Sequence, residues 1–270
     1  MTERSEPFTL HPPDARLLEG RHAIVTGGDS GIGRGTCFEL AAHGAAVAVD
    51  HQGDDAEARR MVEAIEAAGG RAIAVQMDVT AEDDVTRAFA QVRQELGGLD
   101  LLVNNAGIEK PFALTEMPLA EWQRVIDVNL TGTFLCSREA ARIMRRDGAR
   151  GTIVMISSVH EQIPWVTFSH YCASKGGVKL FAQSIARELA PHGIRVLSIA
   201  PGAIATPINA DILADPERKA KIQEEIPLGR WGEVEDVSRA VAWAASDQAS
   251  YIVGATIFVD GGMTLYPRFI

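Results

Sequence analysis

Short apolar runs of strand length alternate with longer amphipathic stretches along almost the whole chain, and no other feature restricts the possible folds as strongly. The runs span 22–26, 45–50, 72–77, 99–104, 151–157, 194–200 and 256–260, most of them rich in β-branched residues. Helical periodicity marks 31–43, 54–68, 81–97, 119–147, 170–191 and 233–247. Strands separated by helices require a parallel sheet covered on both faces, because the crossover helix packs back onto the sheet with one hand. The expected architecture is α/β: a single doubly wound domain, with a seven-stranded parallel sheet and helices on both faces. The stretch 202–232 breaks the rhythm. It holds Pro207, Pro216 and Pro227 among polar residues, as a lid or binding loop would. Residues 1–20, with Pro12 and Pro13 in sequence, read as an N-terminal arm, and 21–270 as one domain.

Charge and composition exclude several classes of partner. The formal net charge of −10 opposes binding to a phosphate backbone or an anionic lipid surface, so neither nucleic acid nor membrane is expected as a partner. No apolar run reaches membrane-spanning length, and the polar start does not read as a secretory signal. Cys37, Cys136 and Cys172 are widely spaced, with no metal-ligand pattern and no even pairing, which fits a reducing cytoplasm and no metal.

The first strand runs into Thr26-Gly27-Gly28-Asp29-Ser30-Gly31-Ile32-Gly33, which opens a helix. Glycines there let the backbone turn sharply and approach a pyrophosphate, and the helix N-terminus offers free N–H groups. This position in the chain makes the domain a dinucleotide-binding one of Rossmann type. Asp50 ends the second strand, where a carboxylate can accept the adenosine ribose hydroxyls and repel a 2′-phosphate, or simply form the turn before Gly53. Asp78, followed by Val79, ends the third strand and either accepts from the adenine amino group or caps the helix that follows. Asn105, Ala106 and Gly107 after the fourth strand suit a tight turn beneath a cofactor.

Tyr171 and Lys175 share one helix face at i, i+4 spacing. Phenol is a base at neutral pH only if its pKa falls from about 10 to about 7, which requires roughly 4 kcal/mol of preferential phenolate stabilisation. A neighbouring ammonium and an oxidised nicotinamide ring can supply that. Ser158, at the end of the fifth strand, can hold the substrate oxygen, or serve as a strand-end cap. Asn129 sits on an otherwise apolar helical stretch. It is either a structural amide or a residue that holds a water behind the lysine.

These residues together resemble the short-chain dehydrogenase/reductase family over about 20–263. The resemblance rests on Thr26–Gly33, Asn104–Gly107, Ser158 with Tyr171 and Lys175, and Pro201-Gly202 followed by Thr206. It implies an NAD(P)-dependent oxidoreductase whose catalytic tetrad is Asn129, Ser158, Tyr171 and Lys175. It also implies that Lys175 holds the nicotinamide ribose, and that Ile204 and Thr206 meet the carboxamide.

Within the family, Glu109, the 157–161 and 163–165 segments, Pro207-Ile208-Asn209-Ala210 and the tail from Asp260 resemble the bacterial glucose 1-dehydrogenases. That implies oxidation of β-D-glucose, or a related aldose, at C1 to the lactone by a homotetramer, with His160 and Glu109 lining the sugar pocket; the alternatives are a family dehydrogenase or ketoreductase for another sugar, alcohol or ketone, and a catalytically silent nucleotide sensor. Ala205 departs from the asparagine that many of these enzymes carry. Likewise, the aspartate that selects NAD would fall at His51 and the arginine that selects NADP at Gln52, and neither is present. Ser30 offers no cation either, so the expectation is dual use of NAD and NADP with a lean towards NAD.

Overall fold

The computed structural model describes residues 16–53, 55–148 and 150–265. Seven strands run in chain order: β1 (His22–Val25), β2 (Ala46–His51), β3 (Arg71–Gln76), β4 (Leu101–Asn104), β5 (Gly151–Ile156), β6 (Ile194–Pro201) and β7 (Thr256–Val259). They form one sheet in the order β3-β2-β1-β4-β5-β6-β7. Every pairing is parallel. The order reverses between β1 and β4, so the crevice for a ligand opens at their carboxyl ends.

Helices α1 (Gly31–Ala42), α2 (Ala56–Ala67), α3 (Glu82–Leu96), α4 (Leu119–Ile126), α5 (Gly132–Asp147) and α6 (Ser169–Leu189) follow the expected alternation. Two short helices, α7 (Ala210–Leu213) and α8 (Pro216–Glu224), lie within the irregular 202–232 stretch, and α9 (Val234–Ala245) returns to the sheet.

Alternate residues of each central strand enter opposite layers of the core. Ile24, Leu102, Ile153 and Val196 pack with α3, α5 and α6 through Phe89, Ile143 and Val178. Val25, Leu101, Val154 and Leu197 pack with α1, α2 and α9 through Leu40, Met61 and Val241. A strand buried on both faces reads as a continuous apolar run, which explains why these runs were so plain in the sequence.

The structure modifies the expected elements in two places. The 119–147 stretch carries a π-helical turn at Asp127–Thr131 between α4 and α5. Of the arm assigned to 1–20, residues 1–15 lie outside the described residues. Within the remainder, Leu18 is 1% exposed and its N–H donates to the His43 carbonyl, so the packed body starts before Arg21.

Candidate active site

The cleft floor is braced from both sides of the switch point. Thr26 Oγ accepts from the N–H groups of Asn105 (2.9 Å) and Ala106 (3.0 Å). In return, Asn105 Nδ2 donates to the Thr26 and Gly27 carbonyls, each at 2.9 Å. Gly27 takes φ 56°, a left-handed conformation that costs glycine little. A Cβ at Gly33 would run into the Gly27 carbonyl, so only glycine lets α1 begin this close under the loop. The first turn of α1 has neither a side-chain cap at Ser30 nor an acidic residue, which leaves its N–H groups free to meet an anion. This cradle fits the pyrophosphate of a dinucleotide.

Beyond the floor lies a cleft of about 470 Å³. Gly27, Ser30, Gly31, Ile32, Asn105–Gly107, Pro201, Gly202, Ile204 and Thr206 line it, together with Glu109, Ser158, His160, Tyr171 and Lys175. Asp29, Gly33, Asp50, His51, Asp78, Val79 and Asn129 do not form its wall. Asp29 is half-buried in the glycine loop, and Val79 is packed behind the cleft against Gly132.

The expectation of a ribose-binding carboxylate at Asp50 needs correction. Asp50 is 2% exposed and turns inward, where Oδ2 accepts from the Gly27 N–H at 2.9 Å. Its backbone carbonyl accepts from the Gly28 N–H at 2.7 Å. Odd and even strand positions face opposite ways, and position 50 falls on the side facing the glycine loop. Asp50 therefore props the loop. Its other oxygen has no partner, and burial, aided by Asp29 and Asp78, pushes its carboxyl up to about 7. His51, at the strand end, is also buried, with Nδ1 3.3 Å from the Gly53 carbonyl. Asp78 turns to its own loop and accepts from the Thr80 N–H (2.9 Å) and hydroxyl (2.7 Å).

At the chemical end, α6 presents Tyr171 and Lys175 one turn apart. Lys175 is 5% exposed, and its Nζ donates to the Ile156 carbonyl at 2.8 Å, beside the Tyr171 ring (5.6 Å to its centre). Burial pulls the ammonium down to about 8, opposed by the carboxylates of Glu109 and Glu161. Burial, with the Glu109 carboxylate next, pushes the Tyr171 phenol above its ordinary range, while the Ser158 hydroxyl pulls the other way. Glu109 is itself pushed up to about 7 by burial, with the nearby Lys175 opposing.

Ser158 Oγ accepts from the His160 N–H at 3.1 Å, so its proton is left to donate to an oxygen in the cleft. Asn129 is 1% exposed and lies in the π-turn. Its Oδ1 accepts from the Ile108 N–H (2.8 Å), and Nδ2 donates to the Ile108 carbonyl (3.0 Å) and Ser174 Oγ (3.1 Å). Ser174 Oγ donates in turn to the Tyr171 carbonyl at 2.7 Å. Asn129 thus links the loop under Glu109 to the first turn of α6, with both amide hydrogens and one acceptor site of Oδ1 taken by protein atoms.

His160 Nδ1 faces the Ile163 carbonyl at 3.2 Å and must donate to it, which leaves Nε2 as an acceptor in the neutral ring. Burial holds this imidazole below its ordinary pKa. Trp165 stacks between His160 (4.5 Å between centres) and Phe168 (3.7 Å), so a flat aromatic wall stands beside Tyr171. Ile208, Ile212, Ile222, Trp231 and Met263 complete an apolar rim. The sequence marked 163–165 only as part of a resemblance and 202–232 only as a lid or binding loop, without assigning Trp165 or any single residue from 212 to 231 to the cleft. Their signal was the aromatic and branched content of the irregular loops, which becomes meaningful only when the loops fold over one cleft.

The fold and this constellation define a nicotinamide-dependent oxidoreductase, and residues 27–264 match the family model described as Enoyl-(Acyl carrier protein) reductase. The chain belongs to the short-chain dehydrogenase/reductase family. It is 48% identical over 252 residues to 3beta-hydroxysteroid dehydrogenase 1 of Eggerthella lenta, covering 93% of this chain and 97% of that protein. It is 42% identical over 251 residues to Glucose 1-dehydrogenase 2 of Bacillus subtilis, again 93% and 97%. Among solved structures, a gluconate 5-dehydrogenase of Burkholderia cenocepacia in complex with NADP and tartrate superposes with TM-score 0.88. That match is 31% identical and covers 93% of this chain and 98% of the other. No helix among the described residues is long and apolar enough to cross a membrane.

Proposed function

We propose that the protein oxidises β-D-glucose, or a closely related aldose, at C1 to the lactone. The observation that carries this reading is the placing of Glu109 and His160 in the cleft beside Tyr171. A pyranose offers hydroxyls to a carboxyl and an imidazole acceptor. NAD(P), when bound, supplies the hydride acceptor. Gly27, Gly31, Asn105–Gly107, Ile204 and Thr206 would hold it, with Lys175 reaching the nicotinamide ribose.

The proton chemistry belongs to the chain's own residues. Ser158 donates to the C1 oxygen and fixes it beside Tyr171. Tyr171 takes the hydroxyl proton in its phenolate form, which the Lys175 ammonium and a bound oxidised nicotinamide would have to favour against the burial that raises the phenol, while the C1 hydrogen leaves with its electron pair, so the C1–O bond becomes a carbonyl. Lys175 supplies positive charge beside the phenolate. Asn129 holds Ser174, and with it the first turn of α6, in register.

The apolar rim and the 48% identical relative favour a second reading, a secondary hydroxyl on a fused apolar ring system. A panel of β-D-glucose, other aldoses and a 3β-hydroxysteroid separates the two. We expect kcat/KM for glucose to exceed that for the steroid at least tenfold, and the reverse order rejects the sugar. We also infer dual cofactor use with NAD favoured. Asp29 and Asp78 place negative charge around the glycine loop, joined by Asp50 as its carboxyl ionises above about pH 7, which disfavours a 2′-phosphate. A strong preference for NADP in kcat/KM overturns that. Self-association as a homotetramer is part of the same reading, supported by Phe134 on α5 (40% exposed) and Leu180 on α6 (66%), and sedimentation tests it.

A further inference from the structure

Glu161 is a fully buried carboxylate that the chemistry above does not use. It closes the 3₁₀ turn Val159–Glu161, the turn that Ser158 caps directly after β5. Its side chain is 0% exposed. Burying a carboxylate is costly unless it is paired, so the contacts that keep it there are informative.

Ser157 Oγ donates to Glu161 Oε2 at 2.6 Å, a short, charge-assisted bond. Lys179 Nζ lies 3.3 Å from Oε1 and supplies the countercharge. The Glu161 N–H donates to the Ser158 carbonyl at 3.0 Å. Lys179 follows Lys175 and Tyr171 at four-residue steps, so all three stand on one face of α6. One charged group besides Lys179 bears on this cluster: Lys175, also on α6, whose ammonium faces the carboxylate of Glu161 and that of Glu109 from the loop after β4.

We propose that Glu161 is a positioning residue: through Ser157 and Lys179 it fastens the turn carrying Ser158 to the helix carrying Tyr171 and Lys175, and so fixes the distance between hydroxyl and phenol. Its carboxylate also favours the charged form of Lys175. The inference rests on Ser158 and Tyr171 being the reacting pair, and holds for a sugar or a steroid alcohol alike.

The test compares Glu161→Ala, Glu161→Gln and Ser157→Ala with wild type, using β-D-glucose and NAD, or the 3β-hydroxysteroid if that is the alcohol turned over. Misplacement of one catalytic group should lower kcat about 30-fold in Glu161→Ala and about fivefold in Ser157→Ala. The NAD dissociation constant, measured by titration, should stay within about twofold, since the Glu161 contacts run to Ser157 and Lys179 and not to the glycine loop. The double variant Ser157→Ala/Glu161→Ala should lose no more than Glu161→Ala alone. In Glu161→Gln the rising limb of kcat against pH should move to higher pH, because Lys175 loses a neighbouring carboxylate.

A merely structural carboxylate would lower the melting temperature and leave kcat per folded site and the pH limb unchanged, and that outcome overturns the proposal. So do additive losses in the double variant. If Glu161→Ala does not fold, Glu161→Gln and Ser157→Ala carry the same test. Tyr171→Phe is run in parallel. Turnover in that variant rejects the underlying base assignment, whereas a silent Tyr171→Phe beside normal Glu161 variants rejects only the role of Glu161.

Discussion

Lys175→Met removes the buried charge beside Tyr171 while keeping most of the apolar stem. With Nζ 5.6 Å from the ring centre, two unit charges at an effective dielectric of about 20 interact by about 3 kcal/mol. That corresponds to about two pKa units on the phenol. In wild type the support has a limit: burial draws Lys175 down to about 8, so the ammonium holds its charge below that pH and loses it above. The variant should therefore show a rising limb of kcat about two units higher, without the inflection that Lys175 contributes, and about a 100-fold lower rate near neutrality. The assay is initial-rate formation of reduced cofactor at saturating alcohol and NAD, followed between about pH 6 and 10. Cofactor affinity is measured separately, because Lys175 is also expected on the ribose. A variant within threefold of wild type, with its limb unmoved, would refute the electrostatic argument.

Three other variants test separate parts of the molecule. Asp50→Asn should remove a pH-dependent penalty. The folded carboxyl at about 7 lies above its unfolded value, so its cost is absent below about pH 4, builds as pH rises to 7 and is complete above that, reaching roughly 4 kcal/mol. Wild type should lose more melting temperature than Asp50→Asn between pH 5 and 8, and parallel melting curves would contradict this. Gly33→Ala should weaken NAD binding by about tenfold or more and lower the melting temperature, because the new Cβ meets the Gly27 carbonyl; calorimetric titration reads the first effect. Arg195→Met should destabilise by about 2–4 kcal/mol in denaturant unfolding and leave kcat unchanged. Its guanidinium ties the Ala244, Ser246 and Ala249 carbonyls at the end of α9, far from the cleft.

The sheet was legible because its central strands are buried on both faces and so read as unbroken apolar runs; β4 and β5 are the plainest cases. The glycine loop was legible because Gly27 and Gly33 answer to backbone geometry alone. Side-chain direction was not. Asp50 sits at the expected strand end, yet a shift of one position decides whether a carboxylate faces the cleft or the loop. Asp78 likewise bonds to Thr80, a competition between local and ligand contacts that spacing cannot weigh. Asn129 stood out as a polar residue on an apolar face, but the π-turn that aims it at Ile108 and Ser174 adds a residue to the helical ladder without any sequence mark. Glu161 had no mark of its own within the 157–161 segment, and only the fold shows it buried against Ser157 and Lys179.

The most direct measurement of the central claim is turnover and NAD binding by Tyr171→Phe. This variant keeps the ring that packs against Trp165 and His160 and loses only the hydroxyl. The expected result is NAD affinity within about twofold of wild type and alcohol oxidation reduced by at least about 1,000-fold, since removing the base leaves only orientation and binding. Alcohol oxidation within tenfold of wild type would contradict the assignment of Tyr171 as the group that takes the proton.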